Sequence, residues 1–290
     1  MNSEGTGRTV REVPVYEILA ADIKSLGIEA VFGLMSDDTA IFVTALDMVG
    51  ITFHGARHEN AAISMAEGYA SATGALGIAV VGRGPATANG LHAAVYAARA
   101  GSRVLIIYGD AAFGAQSTNA LGPDYKAFNV MGVLTAAGLP VLRATSAAGA
   151  RATLRDAAEQ AMKGNAVALL LPTSVQLATV NDDGQPVLPV TEPEVQAQLA
   201  RPEAVQSALD CLGRSQRPLI IAGLGAHRAG AREVLEELAE RIGAMLLTTA
   251  RAKEMFLGHP YRIGIIGSFT HSVGRRFIEQ ADSIIVFGAS

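Results

Sequence analysis

The sequence predicts an α/β protein, a doubly wound parallel sheet followed by a second, shorter unit of the same Rossmann-like kind. Three observations carry the prediction. Nearly continuous apolar runs alternate with amphipathic stretches long enough for a helical crossover, as in strands covered on both faces. Half of the 290 residues are hydrophobic, with 31 glycines and no tryptophan, a composition that lets helices approach a sheet closely. A stretch dense in Pro, Gly and Asp then separates two such periodic regions.

Taken in order, EAVFG (29–33), ITFHG (51–55), GIAVVG (77–82), RVLIIYG (103–109), LPVLRA (139–144) and AVALLLP (166–172) read as strands. Helical periodicity lies near 15–26, 39–49, 60–74, 87–100, 124–137 and 147–163. These elements make a first domain over 1–178. The breakers Asp183, Gly184, Pro186, Pro189 and Pro193 mark a linker over 179–201. A second domain over 202–290 restarts with helix 202–213, strand PLIIAG, helix AREVLEELAERIG, strand AMLLTT, a loop with Gly258 and Pro260, helix 272–281 and strand SIIVFGAS. A sheet of about three strands is small for this class, so the second domain is expected to be cut short and the chain to be part of a longer one.

Charge narrows the function. With 27 acidic and 23 basic residues the formal charge is −4, and no basic block is present that would follow a phosphate backbone, so no nucleic-acid partner is expected. The polar start MNSEGTGRTVREV has no apolar core of a leader, and the apolar runs stop short of membrane-spanning length. The expectation is a cytoplasmic protein without a membrane segment. Cys211, the single cysteine, lies in the helical pattern ALDCLG and reads as a small core residue in a reducing compartment.

The stretch ARHENAAISMAEGYASATG (56–74) sets a carboxylate, Glu59, at the start of a small, apolar helix. One reading is that Glu59 favours the positive end of the helix dipole while Asn60 caps. The other is catalytic, because Glu59 follows a strand and so stands at the rim where open α/β sheets gather ligands. The next strand ends in VVGRGPATANG (80–90), where Gly82, Gly84 and Pro85 make a tight turn and Thr87 or Asn89 can cap the following helix. Taken alone, that loop is equally an ordinary strand-to-helix turn. Glu67 reads as a paired or solvated helix residue, and His54, His58 and His92 as hydrogen-bonded groups near element ends.

These motifs resemble the thiamine diphosphate-dependent enzymes of the acetolactate synthase, pyruvate oxidase and 2-oxo-acid decarboxylase group. ARHENAAISMAEGYASATG is similar to the pyrimidine-domain signature, and GRGPATANGLHAAVYAARAGSRVLIIYGD to the following Gly-Pro-x-x-x-Asn loop, helix and strand. RPLIIAGLGAHRAGAREVLEELAERIGAMLLTT through SIIVFGAS resembles the first half of the family's central domain. The resemblance implies that Glu59 hydrogen-bonds N1′ of the cofactor's aminopyrimidine. That contact favours the imino tautomer, whose 4′-nitrogen takes the thiazolium proton and generates the ylid that attacks a 2-oxo acid. It places Met35, Glu59, Gly82, Pro85 and Asn89 at the cofactor.

Where the family carries Pro-Gly-Gly, this chain reads GLMSDDTA, with Met35 in the place of the proline and Asp37 and Asp38 in place of small residues. The family's Phe-Gln-Glu aligns with Tyr125, Lys126 and Ala127. Arg83 and Lys126 are therefore candidates for a substrate carboxylate, with an exposed loop arginine as the plain reading of Arg83. The Gly-Asp-Gly motif that holds Mg2+ and the diphosphate is missing, its only near match being Tyr108-Gly109-Asp110-Ala111, so no metal ligand is expected on this chain. GLGAHRAG (223–230) is not a Gly-x-Gly-x-x-Gly loop, and FAD is the nucleotide that relatives sometimes carry there. The implied substrate is a 2-oxo acid or aldehyde, and the implied assembly a homodimer or homotetramer with the helix from Asn60 at or beside the interface. The competing reading is a non-catalytic α/β nucleotide-binding or interaction module, motivated by Met35, Asp37, Asp38 and Lys126 at the rim.

Overall fold

The computed structural model describes residues 11–113, 118–119, 122–182, 184 and 199–289. The chain divides into two compact units, 1–195 and 196–290. In the first, β1 (Arg11–Pro14) leads into α1 (Val15–Ser25), β2 (Ala30–Gly33), α2 (Ala40–Met48), β3 (Thr52–Gly55), α3 (Glu59–Thr73), β4 (Gly77–Val81), α4 (Pro85–Ala100) and β5 (Val104–Asp110). A short ladder, β6 (Thr118–Asn119) with β7 (Gly122–Pro123), precedes α5 (Val130–Ala136), β8 (Val141–Arg143), α6 (Ala147–Met162), β9 (Ala166–Pro172), α7 (Thr173–Leu177) and β10 (Thr179–Asp182).

Six strands pair in the order β3-β2-β4-β5-β9-β8, all parallel. Their runs are apolar throughout because both faces are covered. On one face Ile78, Val80, Leu105, Ile107 and Leu169 meet Leu19 and Ile23 of α1, Phe42 and Leu46 of α2 and Leu154 of α6. On the other, Ala79, Val81, Ile106, Tyr108 and Leu170 meet Ile63 and Ala66 of α3, Ala93, Ala94 and Ala97 of α4 and Leu134 of α5. Alanine dominates α3 and α4 because they lie close to the sheet: a Cβ on Gly77 would sit 2.1 Å from the Ala66 carbonyl oxygen of α3. This is the doubly wound sheet expected from the sequence.

Two expectations change in this unit. The helix expected over 124–137 is confined to Val130–Ala136, because Asn129 caps it by accepting from the Gly132 N–H (2.9 Å), leaving residues 124–129 as a turn. The first four residues of the expected linker form β10, antiparallel to β1 with Arg11 opposite Asp182 and Pro14 opposite Thr179. So short a ladder gives no periodicity to read, and it ties the start of the unit to its end. Arg151 of α6 reinforces that closure, donating to both oxygens of buried Asp22 on α1 (2.8 and 2.6 Å). Apart from Gly184 and 199–201, the rest of the linker lies outside the described residues.

The second unit comprises α8 (Pro202–Leu212), β11 (Pro218–Ala222), α9 (Leu224–Arg228), α10 (Arg232–Ile242), β12 (Met245–Thr248), β13 (Arg262–Ile265), α11 (Ser272–Gln280) and β14 (Ser283–Phe287). Its sheet is parallel in the order β13-β12-β11-β14, four described strands rather than about three. β13 escaped the sequence reading because RIGI is short, half-buried and interrupted by Gly264 at φ 106°. Ile220, Leu235, Leu246 and Phe256 build the core. Asp282 joins the starts of β11 and β14: it accepts from Ser215 Oγ and from the Gln216 and Arg217 N–H groups (2.8 and 3.0 Å), and these bonds hold its carboxyl down at about 2. Cys211 is exposed on α8, a helix with no buried residue, which corrects its expected place in the core. The apolar stripe of that helix gave a direction for burial and not a partner. Among the described residues no helix is long and apolar enough to cross a membrane.

Candidate active site

β2 and β4 are neighbours, yet the chain leaves their carboxyl ends towards opposite faces of the sheet, into α2 on one and α4 on the other. Such a divergence opens a crevice, the usual ligand position in an open α/β sheet. Its walls are the loops 34–39 and 82–84. Three glycines make the close approach possible. A Cβ on Gly82 would stand 2.7 Å from Ser36 Oγ, one on Gly109 would stand 2.7 Å from Asp38 Cβ, and one on Gly84 would meet the Lys126 carbonyl oxygen at 2.1 Å. Gly84, at φ 65° and ψ −115°, also holds a backbone conformation closed to other residues, and Pro85 follows as the first residue of α4.

Four charged side chains, Asp38, Arg83, Asp124 and Lys126, fill the floor of this crevice, and exposed Asp37 pairs with Lys126. Asp38, 5% exposed, accepts from four donors: Ser36 Oγ (2.8 Å), the Arg83 N–H (3.3 Å), Arg83 Nε (2.8 Å) and Lys126 Nζ (3.1 Å). Arg83 continues to Asp124 through Nη1 and Nη2 (2.7 and 3.1 Å), and Lys126 also binds Asp37. Buried Gln176 donates to the Asp38 and Leu171 carbonyls (both 2.9 Å), anchoring the loop from below. Burial pushes the Asp38 carboxyl up, but the hydrogen bonds from Ser36, Arg83 and Lys126 outweigh it and hold it below the usual carboxylate range. The Asp124 hydrogen bond leads in raising Arg83, while burial lowers Lys126 and its bonds to Asp37 and Asp38 raise it overall. Asp38, Arg83 and Lys126 therefore stay ionised at neutral pH, and their bonds knot the turn 124–129 to both loops.

Glu59 has a different setting. It follows β3, the edge strand next to β2, and is the first residue of α3. The helix is capped by His58, whose Nδ1 accepts from the Asn60 N–H (3.2 Å). Asn60 was the expected cap, but its side chain instead crosses to accept from the Ala93 N–H of α4 (2.9 Å). Half-buried Glu59, in the first turn of α3, accepts one hydrogen bond from the described residues, from Asn89 Nδ2 (3.1 Å). Gly90 lets the helices close at this point: a Cβ there would stand 3.6 Å from Glu59 Cβ and 2.6 Å from Ile63 Cδ1.

The structure thus joins Glu59 to Asn89, and Arg83 to Lys126 through Asp38. Met35 lies 50% exposed on the loop after β2. Neither Thr87 nor Asn89 caps α4; Gly84 occupies that position, Thr87 is buried and Asn89 faces Glu59. Glu67 accepts from Ser71 and Ser102 (2.6 and 2.7 Å), and His54 stacks on Phe32. Asp124, Ser36 and Gln176 were not singled out in the sequence, and the Asp37-Asp38 pair was noted only as a departure. Asp124 and Gln176 meet their partners 41 and 138 residues away, so no local pattern announces them, while Ser36 bonds Asp38 two residues on. Among the described residues no group of three or more His, Cys, Asp or Glu could hold a metal ion, and Asp110 is paired with Arg143 (2.6 Å). In the second unit, the space left by Gly223 and Gly225 is taken by the backbone of 288–289, so these glycines serve chain packing.

Comparison with known proteins bears on the whole chain. Residues 14–130 match the N-terminal TPP binding domain of thiamine pyrophosphate enzymes, and residues 205–290 their central domain. The chain is 28% identical over 284 residues to a probable acetolactate synthase large subunit of Methanocaldococcus jannaschii, covering 94% of this chain and 46% of that protein. It is 26% identical over 281 residues to the oxalyl-CoA decarboxylase of Escherichia coli K12, covering 94% and 47%. It is likewise 26% identical over 271 residues to a sulfoacetaldehyde acetyltransferase of Alcaligenes xylosoxydans xylosoxydans, covering 91% and 42%. The chain spans about half the length of the relatives it matches.

Proposed function

Because this chain belongs to the thiamine diphosphate-dependent enzymes of the acetolactate synthase and 2-oxo-acid decarboxylase family, we propose that it forms the pyrimidine-facing half of a site that decarboxylates or ligates 2-oxo acids or aldehydes. The observation that carries the proposal is Glu59: a half-buried carboxyl at a strand's carboxyl end whose one hydrogen-bond partner among the described residues is Asn89. When bound, thiamine diphosphate would supply an acidic ring carbon and an electron sink for chemistry at a carbonyl. Glu59 would share a proton with the pyrimidine nitrogen N1′, and Asn89 would orient its carboxyl. Gly82, Pro85 and Met35 form the wall beside it. The donors of Arg83 and Lys126 are engaged by Asp37, Asp38 and Asp124, so in this reading they shape the wall and leave the substrate carboxylate to groups elsewhere.

The donor set fits the pyrimidine end of the cofactor and does not fit its metal-bound diphosphate. Mg2+ and the diphosphate are accordingly assigned to residues outside those described, and no nucleotide is assigned to the second unit. A homodimer or dimer of dimers completes the site in this reading. The outer face of α3 supports it, with exposed Ala61, Met65, Gly68 and Ala72 at helical spacing.

Turnover of 2-oxo acids by the protein that carries this chain, supplied with thiamine diphosphate and Mg2+, tests the proposal. Replacing Glu59 by Gln keeps the shape and removes the acid, and a loss of about 100-fold or more in kcat is expected. Near-wild-type turnover in Glu59→Gln would overturn the assignment and favour a non-catalytic module on the same fold.

A further inference from the structure

Two adjacent residues of α3 reach across to α4. Glu59 Oε2 accepts from Asn89 Nδ2 (3.1 Å), and Asn60 Oδ1 accepts from the Ala93 N–H (2.9 Å). The two contact points on α4 are one turn apart, because the N–H of residue 93 in an α-helix points at the carbonyl of residue 89. The Asn60 oxygen therefore meets α4 at the N–H that faces the backbone of Asn89 itself. Between these points the helices touch: a Cβ on Gly90 would stand 3.6 Å from Glu59 Cβ, 3.9 Å from the Glu59 carbonyl carbon and 2.6 Å from Ile63 Cδ1. Asn60 is half-buried, and the N–H of its own residue is taken by His58 Nδ1. The direction of a helical N–H is fixed by the helix axis, so an oxygen from α3 bonded to one sets both the spacing of the two helices and the roll of the first turn of α3. The Glu59 carboxyl has one neutral donor among the described residues, and such a bond weakens steeply as distance and angle open.

We propose that Asn60 is a positioning residue for Glu59, its grip on the Ala93 N–H setting the first turn of α3 against α4 so that Asn89 reaches the Glu59 carboxyl. Asn60 acts through the helices and touches no reacting atom; the Glu59–Asn89 bond is what it keeps in register. This deepens the reading of Glu59 as the proton-exchanging acid and rests on it, but its first test needs neither cofactor nor turnover.

In the 290-residue chain at fixed pH, Asn60→Ala is expected to move the side-chain NH2 resonances of Asn89 towards their positions in Glu59→Ala, where the acceptor is gone. Asn60→Asp, which keeps an oxygen for the Ala93 N–H, is expected to leave them near wild type. In the protein that carries this chain, supplied with thiamine diphosphate and Mg2+, Asn60→Ala should lower kcat about 10-fold with KM unchanged, and Asn60→Asp should recover most of that loss. Asn89 resonances that coincide in wild type and Asn60→Ala, or that move equally in Asn60→Ala and Asn60→Asp, overturn the inference even if Glu59→Gln abolishes turnover. An unchanged kcat in Asn60→Ala, in a protein that Glu59→Gln silences, overturns it as well. Should Asn60→Ala fail to fold, a crystal structure of the unaltered chain decides: Asn60 Oδ1 within hydrogen-bond distance of the Ala93 N–H supports the grip, and an Asn60 side chain turned away from α4 overturns it. The failure of the functional reading shows separately, as turnover that survives Glu59→Gln.

Discussion

Asp38 and Glu59 are carboxylates that follow neighbouring strands, β2 and β3, yet the fold treats them in opposite ways. Asp38 is almost fully buried and accepts four hydrogen bonds, two of them from cationic side chains. Glu59 is half-buried and accepts one, from a neutral amide. A carboxylate surrounded by donors has its charge satisfied and serves the architecture. Glu59, with a single donor among the described residues, is the one that the proposed function assigns to proton exchange. Position at the carboxyl end of a strand therefore does not fix how a carboxylate is held; the number and charge of the donors separate the two.

The comparison can be broken most forcefully at the glycine that shapes the crevice. Gly84→Ala puts a side chain on a residue at φ 65° and 2.1 Å from the Lys126 carbonyl oxygen, which forces apart the loop and the turn that completes the Asp38 cluster. A loss of about 3 kcal/mol in urea unfolding is expected. A change below about 0.5 kcal/mol would mean that the turn 124–129 is not fixed to the loop.

Acid sharpens the contrast more gently. The folded Asp38 carboxyl lies below its unfolded value of about 3.9, so the unfolded chain binds more protons as pH falls past that value. Its contribution is present in full above this range and is lost as pH falls through the folded value. Asp282 behaves alike in the second unit, losing its contribution between about 4 and about 2. Asp38→Asn should flatten the acid slope of stability measured between pH 5 and 2, and an unchanged slope would sink the claim that its donors hold it ionised. The smallest effect belongs to Cys211→Ser, exposed on α8 and expected to fall within about 0.5 kcal/mol of wild type by thermal melting.

The six strands of the first sheet and the helices between them were legible because burial on both faces writes itself into local sequence. So was Glu59, since a carboxylate ahead of an alanine-rich helix is visible in one short stretch. What stayed hidden depends on contacts between distant segments. Arg83 looked like a candidate for substrate because its partners, Asp38 and Asp124, lie 45 and 41 residues away. Lys126 was read into a helix, and only Asn129 capping α5 leaves it in the turn that delivers it to Asp38. β13 and the β1–β10 ladder were too short to show a period, and Asn60 carries a side chain that could cap and instead crosses to α4.

Asp38, with four donors, is expected to stabilise the fold far more than Glu59, with one among the described residues. Equilibrium urea unfolding of Asp38→Asn beside Glu59→Gln, in the same buffer at pH 7, tests it most directly. Asp38→Asn should lose about 3 kcal/mol, because Arg83 and Lys126 keep their charge in a half-closed crevice. Glu59→Gln should lie within about 1 kcal/mol of wild type, since it forfeits a single neutral-donor bond at the rim. Equal losses, or the larger loss at Glu59, would contradict the account.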